Sequence, residues 1–246
     1  MDATPPARAA SPAPSPFAAG VGALRRFWRP FLLIQAAAVA LGLAYRFSDP
    51  VRAVCATLAR WKTGGGLPFT MITGALAGGI LPELAKALVD RTGERRPGRT
   101  AEVLFNTAFF AVNGVVIDGL YRGEARLFGD DALVATITAK TAFDQFVFTP
   151  LWSSVIAALF LWRRRGFSWP ATRPALRAGF FRARVLPLLL PNFAFWIPIV
   201  SVVYALPAAL QFLMFAFALA AWSLIMVFIT GQDPDADGHP GAGAPG

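Results

Sequence analysis

The chain has 246 residues, of which 56% are apolar and only 15% are charged. Soluble domains average roughly 25% charged residues, because they need polar side chains to cover their surface, so this composition excludes an ordinary soluble domain. The net charge is +9, but the Lys and Arg residues flank long apolar runs, a pattern typical of membrane-protein loops and not of nucleic-acid binding. We therefore expect an all-α, polytopic transmembrane helical bundle that is surrounded by a lipid bilayer and has no nucleic-acid partner.

Residue types that carry much of enzyme and metal chemistry are scarce. The chain has one cysteine, Cys55, and one histidine, His239. One cysteine allows no internal disulfide, and one histidine in a Gly/Pro-rich tail cannot supply a His/Cys metal site or a Ser-His-Asp triad. No nucleotide-binding motif is present. We expect no metal, no cofactor and no enzymatic activity.

The N-terminal part of the chain precedes the main series of apolar segments. Residues 1–28 are rich in Ala, Pro and Ser and predict a disordered tail. The first apolar segment, at about 30–45, follows three arginines and predicts a short span or signal-anchor. A basic amphipathic stretch then predicts a helix in the membrane interface, so that residues 29–66 form an N-terminal addition ending in three glycines. The apolar face of this stretch comprises Val51, Val54, Cys55, Leu58 and Trp61, with Arg52, Arg60 and Lys62 elsewhere.

The main transmembrane bundle is predicted over residues 67–230, and a disordered, acidic Gly/Pro tail over 231–246. Gly74 and Gly78 have the small-xxx-small spacing that lets two helices approach closely. Pro150 falls in the middle of a long apolar segment, which predicts a kinked or strongly tilted helix. The five segments of the bundle lie at about 67–89, 101–121, 133–162, 185–206 and 208–230.

The distribution of basic residues predicts the orientation. If the N-terminus is cytoplasmic and all six apolar segments cross, sixteen Lys and Arg residues lie inside and six outside, as the positive-inside rule requires. Four of the six outside residues follow the first segment, which weakens the assignment of that segment as a crossing. The sequence therefore predicts between four and six spans.

Polar side chains inside the fourth segment are the first candidates for function. Lys140, Asp144 and Gln145 interrupt an otherwise apolar stretch. A charge in hydrocarbon costs a few kcal/mol, so we expect these side chains to face the bundle interior or water. Lys140 and Asp144 are four residues apart and can pair on one helix face. Two interpretations remain open: an internal salt bridge that fixes helix packing, or the polar lining of a water-filled path.

Three further polar residues lie in or near the other spans. Asp118 precedes Tyr121 near the end of the third segment, and the two either form an interfacial pair or mark a pore mouth. Asn192 follows a proline and either satisfies the backbone groups that the proline leaves free or lines a path. Gln211 predicts an interhelical hydrogen bond.

A set of motif residues is distributed between residue 99 and residue 222. They are Arg99, Thr100, Gly114, Tyr121, Lys140, Asp144, Gln145, Pro150, Asn192, Phe193, Pro198 and Trp222. This set resembles the motifs of the twenty-two-kilodalton peroxisomal membrane protein family, which includes small mitochondrial inner-membrane proteins. The resemblance covers about 67–230, with Val115 and Leu120 standing where the family has Pro and Trp. It implies an integral membrane protein and, because some members are reported to form channels for small solutes, a channel.

Two hypotheses of function follow. In the first, the protein forms or contributes to a channel for small solutes, lined by Asp118, Lys140, Asp144, Gln145 and Asn192. In the second, it is a non-conducting structural or assembly protein whose intramembrane polar residues only fix helix packing. A lipid-modifying enzyme is disfavoured, because only Asp118, Asp144, Glu83 and Glu102 could act as acids or bases near the membrane.

Composition also bears on the membrane in which the protein lies. The Ala/Arg/Pro-rich composition, with no targeting signal, favours a bacterial inner membrane, and an organelle membrane is the alternative. A homo-oligomer is compatible with the pattern and is left open.

Overall fold

Residues 16–89 and 99–230 are described by a computed structural model, and within these ranges the chain is helical apart from short connections and has no β-strand. The predicted all-α class is confirmed. The α-helices are α1 (Pro16–Phe47), α2 (Asp49–Gly74), α3 (Leu81–Val89), α4 (Arg99–Phe128), α5 (Val134–Phe143), α6 (Thr149–Arg164), α7 (Trp169–Thr172), α8 (Leu186–Tyr204) and α9 (Ala208–Thr230).

Four helical runs of the described chain are long and apolar enough to cross a membrane. They are Asp49–Leu88, Arg99–Phe128, Val134–Arg164 and Phe181–Tyr204. Two shorter apolar helices, Phe31–Phe47 and Ala208–Leu224, match the first and sixth predicted segments. Four such runs agree with the predicted range of four to six spans.

Three π-helical segments interrupt the long helices, and each ends two residues before a proline. They are Ala75–Ile80, Asp144–Phe148 and Phe181–Val185, which precede Pro82, Pro150 and Pro187. A proline has no N–H to donate and its ring clashes with the carbonyl four residues earlier, so a regular α-turn cannot form there. A π-bulge is one way in which a helix accommodates such a defect. Pro150, for which a kinked or strongly tilted helix is predicted, follows a π-turn inside a helical run that continues to Arg164.

The N-terminal region differs from the predicted tail, and the boundary predicted at residue 66 falls inside a helix. Helix α1 begins at Pro16, so the part of the predicted tail from residue 16 to residue 28 is helical. The chain also remains helical through Gly64 and Gly65, and only Gly66, with φ 52° and ψ −137°, has a non-helical backbone. Pro68 cannot donate the hydrogen bond of the next turn, and glycine adopts this backbone conformation without a steric penalty. Residues 1–15 and the predicted tail at 231–246 lie outside the described residues.

The chain divides into two compact units whose boundaries fall within helices. Among the described residues, unit 1 comprises 16–28 and 144–196, and unit 2 comprises 29–89, 99–143 and 197–230. In unit 1 the π-turn before α6 and the N-terminal half of α8 meet at Phe146 and Phe193, with ring centroids 5.4 Å apart.

The centre of unit 2 is a close crossing of α2 and its π-helical extension with α4. A Cβ on Gly114 would lie 2.6 Å from the carbonyl oxygen of Thr70 and 3.3 Å from the Cα of Gly74. A Cβ on Gly79 would lie 2.8 Å from the Cα of Thr107, and one on Gly78 would overlap the ring of a phenylalanine on α4. The close approach predicted from the spacing of Gly74 and Gly78 is therefore confirmed, with Gly114 as the facing residue on α4.

Helix α9 supplies much of the apolar interior of unit 2, because it packs against α2, α3 and α4. Its residues 212–216 are all buried. Helix α1 joins the same unit through Phe31, whose ring centroid lies 5.4 Å from that of Trp222 on α9. Continuous burial around one helix is typical of a central helix in a bundle.

Candidate functional site

Helix α4 presents a buried face that is largely polar. The buried residues of this helix are Asn113, Gly114, Ile117, Asp118, Tyr121 and Glu124. They repeat at intervals of three or four, which places them on one side of a helix. This face meets the other elements of unit 2, and two clusters of charged and polar side chains form around it.

The first cluster centres on Asp118, only 2% of whose side chain is exposed. The ammonium of Lys62 lies 2.7 Å from one carboxylate oxygen, and the guanidinium of Arg122 lies 2.7 Å from the other. Lys62 also lies over the ring of Phe212, 5.4 Å from its centroid. Because both oxygens are engaged, the carboxylate joins α2 to α4 as the central member of a salt-bridge triad.

The Lys62–Asp118–Arg122 triad corrects two sequence-based interpretations. Lys62 was expected on the exposed side of an interfacial helix, whereas it is buried in unit 2. Asp118 and Tyr121 are also buried, so Tyr121 does not present its ring to the headgroup region as a member of an exposed interfacial pair. The periodicity of α2 could not reveal this, because the partner of Lys62 is on another helix.

The second cluster joins α4, α5 and α8 within unit 2. The hydroxyl of Tyr204 donates to the carboxylate of Glu124 at 2.6 Å, and the Tyr204 ring packs edge-on against Tyr121 with centroids 5.6 Å apart. The ammonium of Lys140, whose side chain is 1% exposed, lies 5.7 Å from the Tyr204 ring centroid and 3.9 Å from Asp130. We refer to Glu124, Tyr204 and Lys140 as the Tyr204 cluster.

Among the described residues of unit 2, the buried charges are equal in number. Lys62 and Lys140 supply two buried positive groups, and Asp118 and Glu124 supply two buried negative groups. Arg122 and Asp130, at 57% and 51% side-chain exposure, extend the clusters to the surface. Burial of a charge is costly unless it is compensated, and the pairing in unit 2 meets that condition.

Neutral polar groups add links within unit 2. The hydroxyls of Thr141 and Ser201 lie 3.4 Å apart and join α5 to α8. The amide of Gln211 donates to the carbonyl of Leu206 at 3.0 Å. This bond is local, at the start of α9, so the interhelical hydrogen bond predicted for Gln211 is replaced by a contact with the preceding connection.

The remaining candidate residues belong to unit 1. Asp144 is buried and accepts a hydrogen bond from the hydroxyl of Thr149 at 3.3 Å. Gln145 is also buried, and Asn192 is half-buried on α8. The five predicted path residues therefore fall into two sets, and the pairing of Lys140 with Asp144 across the unit boundary stays a prediction.

The motif residues occupy distinct structural positions. Arg99 and Thr100 begin α4, Gly114 lies at the helix crossing, and Tyr121 packs against Tyr204. Pro150 follows a π-turn, Phe193 packs against Phe146, Pro198 is exposed on α8, and Trp222 packs against Phe31. Most of these positions are contacts between helices.

The connection between α4 and α5 holds a second carboxylate beside Asp130. The hydroxyl of Thr136 and the backbone N–H of Leu133, the latter at 3.1 Å, donate to Asp131 and hold the pKa of its carboxyl below the ordinary value of 3.8. The stability from these bonds is fully present above the unfolded pKa and is lost as the pH falls through the lower folded value.

Glu124 and Tyr204 are two buried site residues that sequence reasoning missed. Glu124 lies beyond the apolar part of the third segment and is 1% exposed. The available signal was its spacing, since residues 113, 117, 121 and 124 share one helix face. Tyr204 gave no such signal, because a tyrosine at the end of a span is also typical of the headgroup level.

Removal of the Tyr204 hydroxyl should weaken the fold without changing its shape. We expect Tyr204→Phe to lower the free energy of unfolding by about 1–3 kcal/mol, the usual cost of losing a hydrogen bond to a buried charged group. Equilibrium unfolding in mixed micelles measures this change. Tyr45→Phe, on a half-buried ring in the same unit, is the control and should be nearly neutral. An equal effect of both substitutions would contradict the role assigned to the Tyr204–Glu124 bond.

Long apolar helices with buried, compensated charges define the chain as an integral membrane protein of the helical-bundle class. Within residues 16–89 and 99–230, no three side chains of His, Cys, Asp or Glu are grouped so that they could hold a metal ion. Comparison with protein-family profiles, with curated proteins and with solved structures finds no match.

Proposed function

We propose that the protein is a non-conducting structural or assembly protein of the membrane, in which the buried polar residues fix helix packing. The observation that carries this proposal is the geometry at Asp118, where two cations at 2.7 Å engage both carboxylate oxygens. A carboxylate held in this way has little capacity left to coordinate a passing solute. The low exposure of Lys140, Asp144 and Gln145, at 5% or less, also supports a packing role.

A channel for small solutes is the second candidate, and one observation favours it. Lys140 lies 3.9 Å from Asp130, a longer distance than the 2.7 Å ion pairs of Asp118, so its charge is less completely compensated. Asp130 is half-exposed and stands in the connection that also carries Asp131. The resemblance of the motif residues to a family with reported channel-forming members supports the same candidate.

Single-channel recording separates the two candidates. Purified wild-type protein in a planar bilayer is expected to give no discrete currents across voltages and lipid compositions, since the polar groups are engaged with one another. The Asp144→Asn variant is recorded beside it. Discrete currents from the wild-type protein, with a cation preference that weakens in the variant, would overturn the proposal and establish a conducting path at Asp144.

A further inference from the structure

An apolar groove lies on unit 2, at the end of the unit where α1 meets α2. Helix α1 contributes Leu41 and Tyr45, α2 contributes Cys55 and Leu58, and α9 contributes Met214 and Phe217. The groove is open along one side, so its space continues into the surroundings of the helices. Leu41 and Phe217 are 38% and 59% exposed. The apolar walls of the groove are therefore open to the medium that surrounds the helices.

Two arginines lie next to Tyr45, one in sequence and one by contact, without lining the groove itself. Arg52 precedes Cys55 by one turn of α2, and its guanidinium donates to the carbonyl oxygens of Arg46 and Tyr45 at 2.9 and 3.5 Å. Arg46 is exposed in the last turn of α1 and lies 5.6 Å from the ring centroid of Phe47. Asp49 pairs with Arg52, so the region beside Tyr45 keeps a net positive charge from Arg46.

The side of the membrane on which these arginines lie depends on whether the first apolar segment crosses it. If all six apolar segments cross, the connection after the first segment lies outside, where the positive-inside rule disfavours basic residues. Guanidinium groups bind phosphate by paired hydrogen bonds, and basic groups beside apolar clefts between helices are typical of sites for anionic lipid headgroups. A binding role for Arg46 and Arg52 would account for both the charge and the groove.

We propose that this groove binds one acyl chain of an anionic phospholipid, whose phosphate contacts Arg46 and Arg52. The apolar walls suit a hydrocarbon chain, because the chain can contact apolar side chains and leaves no polar group of the groove without a hydrogen bond. The positive charge beside Tyr45 matches the phosphate, and it distinguishes this site from the rest of the lipid-facing surface. The proposal requires only that the protein is embedded in a bilayer and does not depend on the packing or channel function.

Cys55 makes the proposal testable, because it is the single cysteine of the chain and lines the groove. The rate of its alkylation by N-ethylmaleimide is measured in detergent micelles while dioleoyl phosphatidylglycerol or dioleoyl phosphatidylcholine is added. We expect phosphatidylglycerol to slow alkylation at least about threefold at mole fractions where phosphatidylcholine has no effect. Native mass spectrometry should show one phosphatidylglycerol bound per chain.

Three variants sharpen this test. Arg46→Gln should remove the preference for phosphatidylglycerol, and this residue does not bridge the two helices as Arg52 does. Arg163→Gln/Arg164→Gln, at the end of α6, removes two charges elsewhere and should leave the preference intact. Leu58→Trp should slow alkylation without added lipid, because the larger ring fills the groove.

Several outcomes would overturn the proposal. Equal protection by both lipids would indicate ordinary contact with the surrounding lipid and no specific site. No protection by either lipid would mean that the groove is not a lipid site. Protection that increases with protein concentration in the absence of lipid would assign the groove to contact with a second copy of the chain.

Discussion

Replacement of Asp118 by alanine is expected to destabilise the protein by about 3–5 kcal/mol. The substitution leaves the ammonium of Lys62 buried in unit 2 without its carboxylate, and an uncompensated buried charge is among the most destabilising changes in a protein. Arg122 is largely exposed and can turn toward polar surroundings. Equilibrium unfolding in mixed micelles, followed by the fluorescence of the seven tryptophans, measures the loss.

A double variant is the decisive control for this prediction. Lys62→Met/Asp118→Leu removes both charges and keeps apolar volume, and it should recover most of the stability, because apolar replacement of a buried ion pair is often neutral or stabilising. Asp49→Ala breaks the exposed Arg52–Asp49 pair and should cost less than about 1 kcal/mol. If Asp118→Ala costs no more than Asp49→Ala, the triad does not hold the fold together.

Replacement of Gly114 by valine should prevent α4 from packing against α2. The new Cβ would lie 2.6 Å from the carbonyl oxygen of Thr70, which is backbone and cannot rotate away. The helices must separate, so we expect a loss of about 3 kcal/mol or more. Resistance to proteolysis in detergent and the amount of monodisperse protein recovered should both fall.

Gly119 provides the matched control on the same helix. A Cβ there meets no atom within 4 Å, and the residue is exposed. Gly119→Ala should therefore be tolerated or slightly stabilising, by up to about 1 kcal/mol from helix propensity alone. If Gly114→Val and Gly119→Ala behaved alike, the Gly74–Gly114 crossing would not be a tight contact.

The sequence predicted the features that depend on local pattern. The all-α class and the apolar segments follow from runs of apolar residues, because a helix in lipid must satisfy its own backbone. The spacing of Gly74 and Gly78 predicted a close crossing, since small residues four apart leave one helix face flat. Pro150 predicts a kinked or strongly tilted helix but not the π-turn before it, because a missing N–H disturbs the turn without specifying how the chain accommodates the loss.

Features that depend on contacts between distant helices could not be predicted in the same way. The pattern of α2 places Lys62 on an exposed basic face, but its partner Asp118 is 56 positions further along the chain. Glu124 and Tyr204 are 80 positions apart, and neither residue alone indicates the other. Charge pairing predicts that a buried ion needs a partner, but only the packing of the helices selects which one.

Access of water to the buried polar residues tests the central claim most directly. The measurement places a cysteine at position 145, as Gln145→Cys in a Cys55→Ser background, and exposes proteoliposomes to a charged, membrane-impermeant thiosulfonate reagent from either side. Asp131→Cys, in an exposed connection, serves as the reactive control. If the polar residues fix packing, the cysteine at position 145 should remain unmodified while the control reacts. Rapid modification at position 145 would contradict the account and indicate a water-filled path through the bundle.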